Sequence, residues 1–157
     1  MGERFLKSIR LLAECMQGYE RLSGEHVRRS GLTHAQFDIV ATLGNTPGMS
    51  YKELGDKTLI TKGTLTGVIE RLEQKGLVER QRSDCDKRSF FVRLTKEGER
   101  VFCTVFPNVI AESGKVFELY NDDDFAELEK NLSKLKTVIM AGVSGCPSTP
   151  DSTKEII

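Results

Sequence analysis

The chain has 157 residues, about one domain by length and enough to bury a core. Hydrophobic residues at 38% and charged ones at 29% describe a soluble globular protein. With no apolar run near the ~18 to 20 residues of a membrane span and no signal-peptide core at its charged start, the expected address is cytoplasmic, with no membrane partner. The 23 basic and 23 acidic side chains cancel, yet residues 57 to 100 hold eleven basic against seven acidic groups, and residues 101 to 157 hold five against nine. A basic segment on a neutral-to-acidic scaffold remains compatible with a nucleic-acid partner, because phosphate responds to the local patch rather than to the total charge.

Residues 3 to 29 place Phe5, Ile9, Leu12, Met16, Tyr19 and Leu22 at helical spacing, which predicts a long first helix. Thr33 with Gln36 predicts a capping box for a helix ending near Gly44, and Ser50 with Glu53 predicts another for a short helix over 51 to 57. Pro47 and Gly48 form the intervening turn. Thr61 stands at the N-cap of a helix over 62 to 75, whose Leu65, Val68, Ile69 and Leu72 make one buried stripe and whose C-terminal cap is Gly76. The opposite face holds Gly63, Thr66, Gly67 and Glu70, flanked by Lys62, Thr64 and Arg71. An interior Gly costs a helix roughly 1 kcal/mol relative to Ala. Two on one exposed face therefore reflect either a tolerant first turn and drift, or bare backbone that must approach another surface closely. The Thr hydroxyls, Lys62 and the helix dipole all point the same way, and a DNA groove is such a surface.

Residues 77 to 82 and 89 to 94 read as two strands joined by the six polar residues 83 to 88, a loop long enough to project. Arg82, Lys87, Arg88 and Arg93 concentrate positive charge there, and Asp86 lies close enough to orient Arg88. An Arg at a narrow tip suits a minor groove, although a hairpin tip is also charged simply because it is solvated. Thr95 caps a long helix bearing Val101, Phe102, Val105, Phe106, Val109 and Ile110, with a kink expected at Pro107. Asp122, Asp123 and Asp124 suit the positive start of a last helix. In it Phe125, Leu128, Leu132, Leu135 and Ile139 alternate by three and four, as a seam within the chain or between subunits. From Gly142 onward the Gly, Ser, Pro and Thr content predicts a mobile tail.

Asp86, Lys87 and Arg88, then five residues, then Leu94 and Thr95 with Gly98, preceded by the run from Leu72 to Val78, closely resemble the wing and flanks of MarR-family transcriptional regulators. Gly31, Leu32, Thr33, Gln36 and Phe37, and the stretch from Leu54 to Thr66, are similar to the same family, and the resemblance covers residues 5 to 142. It implies a mainly α fold with a small β-hairpin wing: a winged helix-turn-helix over 32 to 99, flanked by helical dimerisation segments at 1 to 31 and 100 to 142, with a tail over 143 to 157. It also implies a homodimer on a double-stranded DNA operator, acting as repressor or activator, with each recognition helix in a major groove and each wing in the adjacent minor groove. By position Arg88 is the wing arginine and Asp86 its orienting partner beside Lys87, while Thr61, Lys62, Thr64, Thr66 and Arg71 serve the recognition helix. The chain departs from the pattern at Gly67, where family members often carry longer side chains.

Similar proteins respond to small aromatic or anionic effectors held between dimerisation helices and reading head, or to cysteine oxidation. Cys15 and Cys85 are the candidate redox thiols, although the run from Ala13 to Gln17 lacks the apolar setting usual for a peroxide-sensing Cys, and both also read as packing or tip residues. No paired metal spacing or close C-x-x-C joins Cys15, Cys85, Cys103 and Cys146, so no metal, disulfide framework or cofactor is expected. His26 and His34, the only histidines, lie near no nucleophile motif, which predicts a protein that is not an enzyme and has no catalytic residues. The remaining alternative is a winged-helix module that meets another protein, but its wing would favour exposed apolar residues over Asp, Lys and Arg.

Overall fold

The computed structural model describes residues 3–58, 60–82 and 90–144. Its elements run α1 (Arg4–Arg29), α2 (His34–Leu43), β1 (Met49–Ser50), α3 (Tyr51–Thr58), α4 (Lys62–Gln74), β2 (Val78–Arg82), β3 (Phe90–Leu94), α5 (Lys96–Gly114), a 3-10 turn (Lys115–Phe117) and α6 (Asp122–Ser144). The protein is mainly helical with one small antiparallel sheet in the order β1-β3-β2.

The helix starts follow from local hydrogen bonds. Thr33 Oγ1 accepts from the Gln36 amide at 3.3 Å while Gln36 Oε1 accepts from the Thr33 amide at 3.1 Å, which closes the expected box at α2. Ser50 and Glu53 make the same reciprocal pair before α3. Thr95 Oγ1 accepts from the Gly98 amide at 3.1 Å and opens α5. A third reciprocal pair, absent from the sequence reading, joins Asn121 to Asp124 ahead of α6. At α4 the expectation is only half met: Thr61 has the extended backbone of an N-cap, but its hydroxyl donates to Thr64 Oγ1 at 3.1 Å and caps no backbone amide. Gly76, with φ of 70°, follows α4 where a left-handed residue lets the chain reverse into β2.

The hairpin differs from expectation in having a third strand. Met49 pairs with Val92 and Ser50 with Phe91, so β1 extends the sheet on the far side of β3 from β2. Two residues are too few for an alternating pattern to reveal. The second strand begins at Val78, and its register with β3 runs from Val78 opposite Leu94 to Arg82 opposite Phe90. The expected wing tip lies within residues 83–89, outside the described residues. Helix α5 continues through Pro107 to Gly114. Beside the proline, which has no amide to donate, the Asn108 side-chain nitrogen donates to the Thr104 carbonyl at 2.8 Å.

One core holds α1 to α5 and the sheet together. The four predicted apolar positions of α4, Leu65, Val68, Ile69 and Leu72, are buried against Val27, Ile39, Val40, Leu43, Leu54, Val92 and Phe102. Residues 1–115 form one compact unit and residues 116–157 a second. Within the first, most of the α1 stripe lies outside this core: Phe5, Ile9, Met16 and Tyr19 are exposed, and only the helix's C-terminal portion, at Ser23, Gly24 and Val27, is buried. Within the second, α6 exposes Leu128, Leu132 and Ile139, and Phe117, Tyr120 and Phe125 cluster with ring centroids 5.2 to 6.1 Å apart.

Candidate nucleic-acid interface

Helices α3 and α4 stand in sequence as a helix-turn-helix, and α4 is amphipathic by construction. With four apolar residues turned into the core, the rest of the helix faces outward, and Thr61, Lys62, Thr64, Thr66 and Arg71 are all exposed. They share this surface with Gly63 and Gly67, at either of which an added Cβ would meet nothing within 4 Å. All five expected α4 residues therefore lie on one bare, polar, cationic surface. Asp86, Lys87 and Arg88 lie outside the described residues, as does Cys85.

The C-terminal end of α4 is held by Lys75. Its Nζ donates to the Gly31 carbonyl at 2.5 Å and to Gln36 Oε1 at 3.2 Å, so one ammonium meets the chain after α1 and the capping box of α2. Other basic residues of the segment also serve the protein itself. Arg93 pairs with Glu79 across the hairpin, Arg100 with Glu97 along α5, and Arg80 with Glu73 at 2.5 Å. Among the described residues, no ion pair engages Lys62 or Arg71. The segment's formal excess of base thus overstates the charge offered outward by β2 and β3, and Arg93, counted with the tip from sequence, is turned to its strand neighbour.

Arg80 carries no mark in the sequence. Besides Glu73 it approaches Glu70 Oε1 at 3.9 Å and lies 5.7 Å from the centroid of the Phe90 ring, which is itself 6.0 Å from Tyr51. The hydrogen bond to Glu73 raises the affinity of the guanidinium for its proton above the ordinary arginine value. No local motif marks this cluster, because its members come from α3, α4, β2 and β3.

A cavity of about 520 Å³ opens among α1, α2, α5 and the end of α3, lined by Tyr19, Glu20, His34, Phe37, Asp38 and Ile110 among others, with no Lys or Arg. His34 Nε2 donates to the Glu20 carbonyl at 3.0 Å; a carbonyl only accepts, so Nε2 carries the hydrogen. Burial pushes the Asp38 carboxyl above its ordinary value, against the pull of nearby His34. The lining mixes aromatic and aliphatic side chains with Glu20, His34 and Asp38. Cys15 and Cys103 are exposed and unbridged. No cluster of three metal-binding side chains occurs among the described residues, and no helix among them is long and apolar enough to cross a membrane.

Comparison with known proteins agrees with this geometry. A family model described as the MarR family matches residues 32–90. The chain is 28% identical to the HTH-type transcriptional regulator MhqR of Bacillus subtilis over 138 residues, covering 88% of this chain and 93% of the relative. It is 32% identical to the HTH-type transcriptional regulator SarZ of Staphylococcus haemolyticus over 116 residues, 73% of this chain and 74% of the relative. Among solved structures, a cysteine-to-serine mutant of MarR from E. coli complexed with operator DNA superposes with a TM-score of 0.76 at 27% identity, covering 85% of this chain and 96% of that one.

Proposed function

The chain belongs to the MarR family of winged-helix transcriptional regulators, which are not enzymes, and from that premise we propose a homodimeric repressor that reads a double-stranded operator. The observation that carries this reading is the outward face of α4, where Lys62, Arg71 and three threonines surround two glycines with nothing above them. Thr61, Lys62, Thr64, Thr66 and Arg71 meet the major groove, and Asp86, Lys87 and Arg88 form the wing in the adjacent minor groove. Residues 1 to 31 and 100 to 142 form the dimerisation region, with residues 32 to 99 as the reading domain. Repression follows from covering promoter DNA, which needs only tight binding.

The cavity among α1, α2, α5 and the end of α3 is the seat of the effector, a small aromatic molecule. Glu20 and Asp38 in its lining, with no Lys or Arg, favour a neutral or positively charged ring over the anionic class that the family resemblance suggested. Exposure of Cys15 favours a second reading, in which thiol oxidation controls DNA affinity. The deciding experiment is to select genomic fragments with the purified protein and sequence them. A shared palindrome with half-sites one helical turn apart, roughly 10 bp centre to centre, is the expected result. Retention of every fragment alike would remove the sequence-specific reading. Peroxide that abolishes binding in the unmutated protein and not in Cys15→Ser would favour the thiol route over the effector.

A further inference from the structure

Arg80 lies in the middle of β2, opposite Val92 of β3. A strand residue at that position could offer its charge to phosphate. Its surroundings direct it elsewhere. The side chain is only 26% exposed, and two carboxylates of α4 flank it, Glu73 at 2.5 Å and Glu70 at 3.9 Å. Its positive charge is answered within the protein. Glu70 belongs to the outward face of α4, where an unanswered carboxylate would repel a phosphate backbone, and Arg80 offsets that charge.

The same guanidinium lies against Phe90. Phe90 is the first residue of β3 and pairs with Arg82, the last of β2, so this pair is where the two strands give way to the loop expected as the wing tip. Phe90 also approaches Tyr51, the first residue of α3. One planar, permanently charged group thus ties the C-terminal half of α4 to the base of the wing, and through Phe90 to α3. Arginine suits the task because its guanidinium can hydrogen-bond a carboxylate along its edge while an aromatic ring lies near its face. Lysine offers a compact ammonium and cannot reproduce that geometry.

We propose that Arg80 is a positioning residue that fixes the direction of the wing relative to the recognition helix, so that the two grooves of a half-site are read by one rigid unit. The proposal rests on the DNA-binding reading above and adds a claim about where its specificity resides. Without Arg80 each element still meets DNA, but the wing arrives at the minor groove over a spread of angles. Contacts that need fixed geometry are lost first, and contacts that only neutralise phosphate survive.

The test compares Arg80→Lys, Glu73→Gln and the double variant with the unmutated protein on a selected operator and on random DNA. Affinity, melting temperature, hydroxyl-radical protection in the minor groove and methylation protection in the major groove are all measured. Arg80→Lys keeps the charge and loses the geometry. It is expected to bind the operator about tenfold more weakly and random DNA within about twofold, losing minor-groove protection flanking each half-site and keeping major-groove protection. Glu73→Gln should give the same pattern, and the double variant should be no worse than either single one, as members of one contact require. Unchanged minor-groove protection and operator preference in both single variants would overturn the proposal. So would equal losses on both DNAs, which would make Arg80 a phosphate contact. Should Arg80→Lys melt early, Glu73→Gln alone decides, since it leaves the arginine in place. Failure of the DNA-binding reading itself looks different, with no protection by the unmutated protein.

Discussion

Gly63 and Gly67 lie one helical turn apart on the open face of α4, and a methyl group on either would touch nothing within 4 Å. The free protein therefore gains nothing in packing from their bareness, while an interior Gly costs a helix roughly 1 kcal/mol relative to Ala. Gly67→Ala should raise the melting temperature by about 2 to 4 °C and weaken operator binding. Thermal melts and operator titrations on one preparation check both signs. Operator affinity that survives the substitution would show that DNA does not approach this backbone closely.

Gly98→Ala should act in the opposite direction. A Cβ there would stand 2.0 Å from the Leu77 carbonyl oxygen, where the first turn of α5 is packed against the loop that follows α4. Backbone on both sides must yield, at a cost of about 1 to 3 kcal/mol. The readout is a lowered urea midpoint with no change in the slope of the transition.

Lys62 and Arg88 should fail differently when removed. Lys62→Ala is expected to weaken operator and random DNA about equally and to lower the salt slope by roughly one unit. Arg88→Ala should cost about 1 to 3 kcal/mol on the operator and less on random DNA, and Asp86→Ala should reproduce part of that loss. Salt titrations on both DNAs separate these outcomes. An Arg88→Ala protein that binds the operator normally would revive the protein-interaction module.

Leu132, 41% exposed on α6, tests the assembly. Leu132→Asp places a charge in the proposed seam between subunits and should yield a monomer that no longer holds the operator. Light scattering at micromolar concentration measures it. A monomeric unmutated protein would rule out the homodimer directly.

Two carboxylates give opposite pH dependences. Asp38, raised above its ordinary 3.8 mainly by burial, binds its proton more tightly folded than unfolded. Its contribution to stability is fully present below about pH 3.8 and is lost as pH rises through the higher folded value. Glu53 is lowered below its ordinary 4.5, first by the Ser50 amide and then by the Ser50 hydroxyl. Its contribution is present above about pH 4.5 and is lost as pH falls through the lower folded value. Relative to the unmutated protein, Asp38→Asn should therefore gain stability as pH rises from acid, and Glu53→Gln should lose it. Urea midpoints across that range give both signs.

The elements that the sequence disclosed are those whose cause is local. The boxes at Thr33 and Ser50, the cap at Thr95 and the stripe of α4 each depend on residues within a turn or two of one another, and the structure has them where spacing predicts. The outward position of Lys62, Thr64, Thr66 and Arg71 followed from the same wheel. What stayed hidden depends on chain segments that meet only in three dimensions. Strand β1 exists because Val92 offers it a partner, and the Arg80 cluster and the cavity beside Asp38 each gather residues from at least three elements. Thr61 shows the limit even locally: its position was legible, but whether its hydroxyl would turn to the backbone or to Thr64 was not.

Lys75 has one more consequence, for mechanics. By gripping the Gly31 carbonyl and Gln36, it fastens α4 at its C-terminal end, while Lys62 stands exposed at the other end, thirteen residues away along the helix. Such a helix is a lever about 20 Å long with its pivot at Lys75. A tilt of about 10° at the pivot sweeps the far tip through about 3.4 Å, the rise of a single base step along a DNA strand. Because Leu65 and Val68 are buried along that lever, a shift at the junction of α1 and α2 carries the leading edge of α4 from one base pair to the next only by repacking those side chains.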